Sequence, residues 1–206
     1  MKIALFGSTG RVGKEFLNFV ISDGYQVKAL VRSPEKIEFN SALLELHKGN
    51  AREFHDVLPT IEDCDLVVSA LNTDSDDTLS VSILHIIKAM QEQRVQRIIT
   101  IGTAGILQSR TDPSIYRFQS SESKQRSTRA AEEHLKMYEA LKESNLDWTI
   151  ICPTYLPDGI LTKNYRYEVT FLPFEGKSIS VQDTAHFAFS QLILSKFNRQ
   201  RVGLSY

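Results

Sequence analysis

MKIALFGSTGRVGKEF, residues 1–16, decides the fold. A short apolar run, Lys2 to Phe6, stops at Gly7; Gly10 and Gly13 follow at three-residue intervals, and a segment of helical spacing begins near Arg11. Glycines placed between a strand and a helix meet three physical needs. They allow a tight turn, let the backbone approach a pyrophosphate closely, and let the helix start pack hard against the strand. The helix then aims its free N–H groups and positive dipole end at the phosphates. Gly7, Ser8, Thr9, Gly10, Arg11, Val12 and Gly13 are therefore candidate dinucleotide-binding residues.

The pattern set by this stretch repeats along the chain. YQVKALV precedes a helical reading of PEKIEFNSALL, LELHKG precedes REFHDVLPTI, and DLVVSAL precedes TLSVSILHIIKAMQEQ. Such alternation predicts βα units and a parallel sheet. RIITIG and DWTIICP extend the series as nearly continuous apolar runs, the signature of strands covered on both faces. Between them a long helix is predicted from about Ser123 to Asn145, its apolar stripe running through Ala131, Leu135, Tyr138 and Leu141. Gly105 to Glu122 is polar and turn-rich without a period, and it follows a strand's C-terminal end, where open parallel sheets bind ligands. YEVTF, SISV, a helix around Asp183 to Ser195 and RVGLSY read as a small substrate-side cap plus an edge strand.

Composition narrows the classes. A chain of 206 residues, 42% hydrophobic, is long enough to bury a full core and short enough to be a single domain spanning 1–206, with substrate-side elements at about 104–122 and 153–182. A formal net charge of -1 argues against a nucleic-acid partner. Cys64 and Cys152 each lie in an apolar run and read as buried reduced thiols of a cytoplasmic protein. The first apolar run is too short for an export signal, and no segment is long enough to span a membrane.

GSTGRVG, ALVRSPEKI, the TIGTAG strand end, RAAEEHLKMYEALKESNLDWTIICPTYL and ISVQDTAHFA together carry a family resemblance. The chain resembles the extended and atypical short-chain dehydrogenase/reductases, and within them the NAD(P)H-binding group that includes biliverdin-IXβ/flavin reductase and NmrA-like proteins. The resemblance covers the whole chain. It implies an α/β fold: a Rossmann-type doubly wound parallel sheet with helices on both faces and a small C-terminal substrate-side extension.

The end of the second strand bears on the cofactor. An acidic residue there would bind a ribose 2′-hydroxyl, whereas an arginine accommodates a 2′-phosphate. Arg32, followed by Ser33, stands at that point, and Arg11 offers a second guanidinium, so NADP(H) is expected over NAD(H). The resemblance implies further contacts. Asn50, with Ala51, stands where the family has an acidic residue near the adenine, and Ala70, Leu71 and Asn72 match the position along the nicotinamide ribose. Thr103 and Ala104 end the fifth strand, and Pro153, Thr154, Tyr155 and Leu156 match the segment beside the nicotinamide ring. Arg129 occupies a place on the long helix where relatives often carry lysine and is a candidate for a ribose, phosphate or substrate anion.

Members that reduce by the usual route carry serine, tyrosine and lysine, the last two four residues apart on the long helix. Tyr138 and Lys142 match in letters, but Tyr138 shares the apolar stripe of Leu135 and Leu141 and reads as core. Thr103, whose hydroxyl could meet a substrate carbonyl or flavin edge, and Tyr155, which stands where related reductases often have histidine, are the candidate catalytic residues. His47, His55, His85, His134 and His186 are scattered without metal-ligand spacing and read as surface or locally bonded imidazoles, so no metal is expected. TDSDDT, residues 73–78, reads as a solvated turn and helix cap. The resemblance implies hydride transfer from NADPH to a flavin, quinone-like or other flat conjugated small molecule. A non-catalytic redox sensor of the NmrA-like kind and a nucleotide-sugar epimerase or dehydratase are the alternatives, and oligomeric state is left open.

Overall fold

The computed structural model describes residues 1–38, 40–73, 76–123, 127–194 and 196–206. Among these residues eight strands and five helices follow in the order β1 (Lys2–Phe6), α1 (Arg11–Ser22), β2 (Gln26–Val31), β3 (Leu44–Lys48), α2 (Phe54–Ile61), β4 (Leu66–Ser69), α3 (Thr78–Gln93), β5 (Arg97–Ile101), α4 (Arg129–Glu143), β6 (Asp147–Pro153), β7 (Arg166–Val169), α5 (Val181–Leu194) and β8 (Gln200–Ser205). The strands form one sheet in the order β3-β2-β1-β4-β5-β6-β8-β7. Every neighbouring pair is parallel except β7 with β8. The architecture is the Rossmann-type α/β sheet that the family resemblance implies, with the parallel pairing that the alternation of apolar runs predicts.

Two apolar layers sandwich the sheet. On one face Phe16, Leu17 and Val20 of α1 pack with Ala185, Phe187 and Ala188 of α5 against Ile3, Leu5, Ile99 and Ile151. On the other, Val57 and Ile61 of α2, Ile83 and Ile86 of α3, and Met137 and Leu141 of α4 cover Ala4, Phe6, Val67, Ile98 and Ile150. β1, β4 and β5 are buried on both faces because alternate residues enter opposite layers. Strand order reverses between β1 and β4, and the crevice beyond their C-terminal ends is where such sheets receive ligands.

Four segments differ from their sequence reading. PEKIEFNSALL is not a helix: Pro34–Lys36 forms a single 3-10 turn, Ile37 is extended, and the Ser41 hydroxyl accepts from the Leu43 N–H, a local bond that competes with helical pairing. α4 starts at Arg129 with Thr128 at its N-cap rather than near Ser123, while residues 124–126 lie outside those described. RVGLSY is not an edge: β8 lies between β6 and β7, and β7 is the outer strand. SISV forms no strand. Ser178 makes one bridge to Tyr155, and Val181 already begins α5, whose expected last residue, Ser195, is outside the described set.

Gly105 to Glu122 is an ordered loop containing two 3-10 turns, Ala104–Ile106 and Arg117–Gln119. Within TDSDDT, residues 74 and 75 are outside the described set. Asp77 occupies the N-cap position of α3 but makes no side-chain cap bond, because its carboxylate is drawn to Arg52. No helix among the described residues is long and apolar enough to cross a membrane.

Candidate functional site

A cleft runs along the C-terminal ends of β2, β1, β4, β5 and β6 in three connected segments. The inner segment is walled by Gly7, Thr9 and Gly10, by Val31 at the end of β2 and Arg32 after it, by Asn50 and Ala51 after β3, and by Ala70, Leu71 and Asn72 after β4. The middle segment shares Gly10 and residues 70–72 and adds Arg11, Val12, Ile101, Gly102, His134, Pro153 and Leu156. The outer segment shares Pro153 and adds Thr103, Ala104 and Gly105, the Arg117–Phe118 turn, the start of α4, and Thr154 and Tyr155.

The glycine turn is built by backbone constraints. Gly7 has φ +84°, a conformation L side chains rarely adopt, and a Cβ there would lie 2.5 Å from the Ala70 carbonyl oxygen. Its own carbonyl accepts from the Gly10 N–H at 3.0 Å, closing the turn. Gly10 is the N-cap of α1 and brings no capping side chain, so none of the first-turn N–H groups is satisfied by its own cap. An anion seated there would complete the helix end. The chain thus offers a cradle that fits a dinucleotide's pyrophosphate.

Most sequence-predicted residues converge on this cleft, and a few stand apart. Ser8 is wholly buried, with its hydroxyl unpartnered among the described residues, and Gly13 is buried in α1 against the Gly7 carbonyl. Ser33 starts the 3-10 turn after β2 and is not part of the cleft wall. Asn50 Oδ1 accepts from the Arg52 N–H at 3.1 Å and its N–H donates to Asp56 Oδ2 at 2.8 Å, so the turn occupies part of the hydrogen-bonding capacity expected for adenine. Arg129 is exposed and lines none of the three segments, although its neighbours Thr128, Ala130 and Ala131 wall the outer one.

Thr103 is half-buried in the outer segment, and its hydroxyl accepts from the Gly105 N–H at 3.3 Å. That bond caps the local turn and leaves the O–H proton available to a neighbour. Tyr155 is 70% exposed at the rim. Tyr138 lies in the core, edge-on to Tyr116 and Trp148, with the Arg201 guanidinium 4.3 Å from its ring centre, so no tyrosine–lysine pair from α4 reaches the cleft.

One residue overturns its sequence reading. His134 is neither at the surface nor locally bonded. Only 9% of it is exposed, it lines the middle segment, and Nδ1 has no hydrogen-bond partner among the described residues. Burial pushes its imidazole down to about 4, against the opposing pull of Glu133, so the ring is neutral at physiological pH. Glu133 itself turns away, accepting from the Ser80 hydroxyl on α3 at 2.7 Å and from Lys136 at 2.7 Å. A signal was present in sequence: His134 stands three, four and seven residues before Met137, Tyr138 and Leu141, the spacing of the face that α4 buries.

The other histidines are engaged as expected: His47 with Glu45, His55 with Asp56, His85 against Phe54, and His186 with the Tyr165 hydroxyl. Among the described residues no cluster of three histidine, cysteine or acidic side chains is arranged to hold a metal. Both cysteines are buried and free, and burial pushes the Cys64 thiol up to about 11 and the Cys152 thiol up to about 12.

Sheet, glycine turn and crevice define a Rossmann-type dinucleotide-binding protein. The chain belongs to the NAD(P)H-binding family, whose profile matches residues 7–193. Among solved structures it is similar to a candidate epimerase from Bacteroides thetaiotaomicron, 28% identical, with a TM-score of 0.87 over 100% of this chain and 96% of the other. It is also similar to a candidate NADH-flavin reductase from Streptococcus pneumoniae TIGR4, 23% identical, TM-score 0.84, covering 100% of this chain and 99% of the other. ChuY, an anaerobilin reductase from Escherichia coli O157:H7, is 19% identical with a TM-score of 0.83, covering 100% of this chain and 97% of the other. The last two likenesses are of fold.

Proposed function

We propose that this chain is an NADPH-dependent reductase that delivers hydride to a flat conjugated small molecule such as a flavin or quinone. The observation that carries this reading is the three-segment cleft. Its inner part fits a dinucleotide, and its outer part is walled by Phe118 and Tyr155 with hydroxyls from Thr103 and Thr154. NADPH, when bound, supplies the hydride. The chain's own residues do the rest. The glycine turn and the α1 N-terminus hold the pyrophosphate, and the Arg32 guanidinium receives the 2′-phosphate. Pro153 and Leu156 shape the middle segment, and the aromatic rings of the outer segment keep an acceptor flat against it.

Holding donor and acceptor in contact is worth several kcal/mol of a barrier without any acid group. With Tyr138 in the core, proton delivery falls to solvent entering past the exposed Tyr155. The same placement counts against an epimerase mechanism that needs a tyrosine–lysine pair. The flavin and anaerobilin assignments of the two reductase neighbours support an acceptor of this shape.

Two measurements test the proposal. Oxidation of NADPH is followed with FMN, FAD, quinones and dichlorophenolindophenol; tight NADPH binding without turnover on any of them would instead indicate a redox sensor. Arg32→Ala should weaken NADPH by about tenfold or more, the value of a charge-assisted bond, and leave NADH unchanged. An unaltered NADPH to NADH ratio would remove the cofactor assignment.

A further inference from the structure

We infer that the outer edge of β7 pairs antiparallel with β7 of a second copy of this chain, about a two-fold axis at Tyr167, so that the sheet of one copy runs on into the other. This is independent of the reductase reading. Three observations lead to it.

The first is an edge with its main-chain groups turned outward. β7 ends the sheet and pairs with β8 alone among the described residues. The Thr170 N–H donates to the Arg201 carbonyl of β8 at 2.8 Å, whereas the Leu204 carbonyl of β8 turns the other way and accepts from the Thr154 N–H at 3.3 Å. Bonded positions alternate along an antiparallel pair, so Arg166 and Glu168 face β8, and the N–H and C=O groups of Tyr167 and Val169 face out. Such a row is a template for another strand, and β7 carries no proline or lysine to blunt it.

The second is charge register. Alternation puts the side chains of Arg166 and Glu168 on one face of β7. A two-fold axis sets one residue opposite itself. At Arg166 it opposes two guanidiniums, at Glu168 two carboxylates, and at Val169 it sets Glu168 against Thr170. At Tyr167 it brings Arg166 of each copy opposite Glu168 of the other, the register that pairs unlike charges. Both side chains keep a group for that contact. Arg166 spends Nη1 and Nη2 on the Phe174 and Tyr206 carbonyls and retains Nε, and Glu168 meets Arg110 through Oε2 and retains Oε1.

The third is an apolar flank on the other face. The Tyr167 ring lies 5.5 Å from that of Phe187 on α5 and 5.4 Å from that of Phe197, yet the residue is 46% exposed. Leu194, about two helical turns beyond Phe187 on α5, is exposed, as is Ile193 before it. A second β7 sets its own Tyr167 against the first and takes this surface out of water.

Sedimentation velocity on the parent from roughly 1 to 100 μM should show dimer growing with concentration, the range in which a small interface registers. Tyr167→Cys puts the paired Cα atoms about 5.5 Å apart, within reach of a disulfide. Both native cysteines are buried, so air oxidation should convert this variant to a covalent dimer, while Leu84→Cys, exposed on α3, stays monomeric. Arg166→Glu and Glu168→Arg should each lose the dimer alone and regain it when mixed, because the mixed pair restores unlike charges at both positions. A parent that stays monomeric, or Tyr167→Cys that crosslinks no faster than Leu84→Cys, would overturn the inference, and both readouts stand even if a charge variant fails to fold. Charge variants that fold by circular dichroism and dimerise as the parent does, or whose mixture stays monomeric, would overturn it as well.

Discussion

Arg11, in the phosphate-binding turn, is paired with Asp158, in the segment leaving β6: its Nε and Nη2 donate to one carboxylate oxygen at 3.1 and 2.6 Å. The side chains are 54% and 89% exposed, so the pair adds little to stability, yet it holds a cation that a phosphate would otherwise attract. Asp158→Asn should leave the denaturation midpoint almost unmoved and tighten NADPH several-fold at low salt, with the gain shrinking as salt rises. Fluorescence titration at two ionic strengths reads both effects. Weaker binding in the variant would instead make Asp158 a direct ligand of the cofactor.

Gly13 separates helix propensity from packing. Alanine is the better helix former by about 1 kcal/mol, so substitution in α1 would ordinarily stabilise. Here a Cβ would fall 2.8 Å from the Gly7 carbonyl carbon and 3.2 Å from Ser8 Cα, and closer still to the Gly7 oxygen. Gly13→Ala should therefore cost about 2–3 kcal/mol net in urea unfolding. Gly24→Ala is the control. Its φ is +84° but nothing lies within 4 Å of the added methyl, so backbone strain alone should cost about 1 kcal/mol.

The central strands were legible in sequence because both their faces are buried and apolar runs mark them directly, and α3 because its buried residues recur at helical spacing. β1 and β5 carry KIALF and RIITI, and α3 has the same ends that its pattern predicts. The glycine turn was equally readable, since its backbone demands particular residues. Legibility failed where tertiary contacts decide. Leu43 and Leu44 look helical with Ile37, but a local Ser41 bond and the pairing of Leu44 with Val27 of β2 prevail. RVGLS reads as an edge until β7 folds back antiparallel on it. Asp77 reads as a cap until Arg52 claims its carboxylate. His134 escaped because its spacing with Met137, Tyr138 and Leu141 marks the buried face of α4 but not that this end of the face borders a cleft.

Glu122 organises the loop that the sequence left without a pattern. One carboxylate oxygen accepts from the Ser109 hydroxyl at 2.6 Å and from the N–H groups of Arg110 and Thr111 at 2.7 and 3.1 Å, while Arg117 donates to the Glu122 carbonyl at 3.0 Å. Burial alone would raise this carboxyl, and the hydrogen bonds outweigh it and hold it below the usual range. Its stabilising contribution is therefore present above the ordinary carboxylate pKa and lost as pH falls through the depressed one. Glu122→Ala should speed tryptic cleavage at Arg110 and Arg117 and raise KM for the acceptor while leaving NADP+ affinity unchanged. Parental cleavage rates would show that the loop holds itself without this carboxylate.

His134 gives the pH dependence of stability a defined sign. Its folded pKa of about 4 lies below the ordinary 6.5, so between those values the unfolded chain binds a proton that the native chain refuses. Stability rises with pH across that window and falls as pH drops through it, by about 2 kcal/mol from pH 7 to pH 5 at roughly 1.4 kcal/mol per unit. The depressed carboxylates Glu122, Glu133 and Asp183 act lower, below the ordinary carboxylate pKa, and do not obscure it. His186, lowered first by burial and then by Lys163, adds a contribution of the same sign. The comparison must therefore be with a variant rather than with theory. Urea midpoints of the parent and of His134→Leu, taken at pH 7 and pH 5, should show the variant losing markedly less on acidification. Identical losses would mean that the imidazole takes up its proton in the folded state at its ordinary pKa, with water reaching the ring.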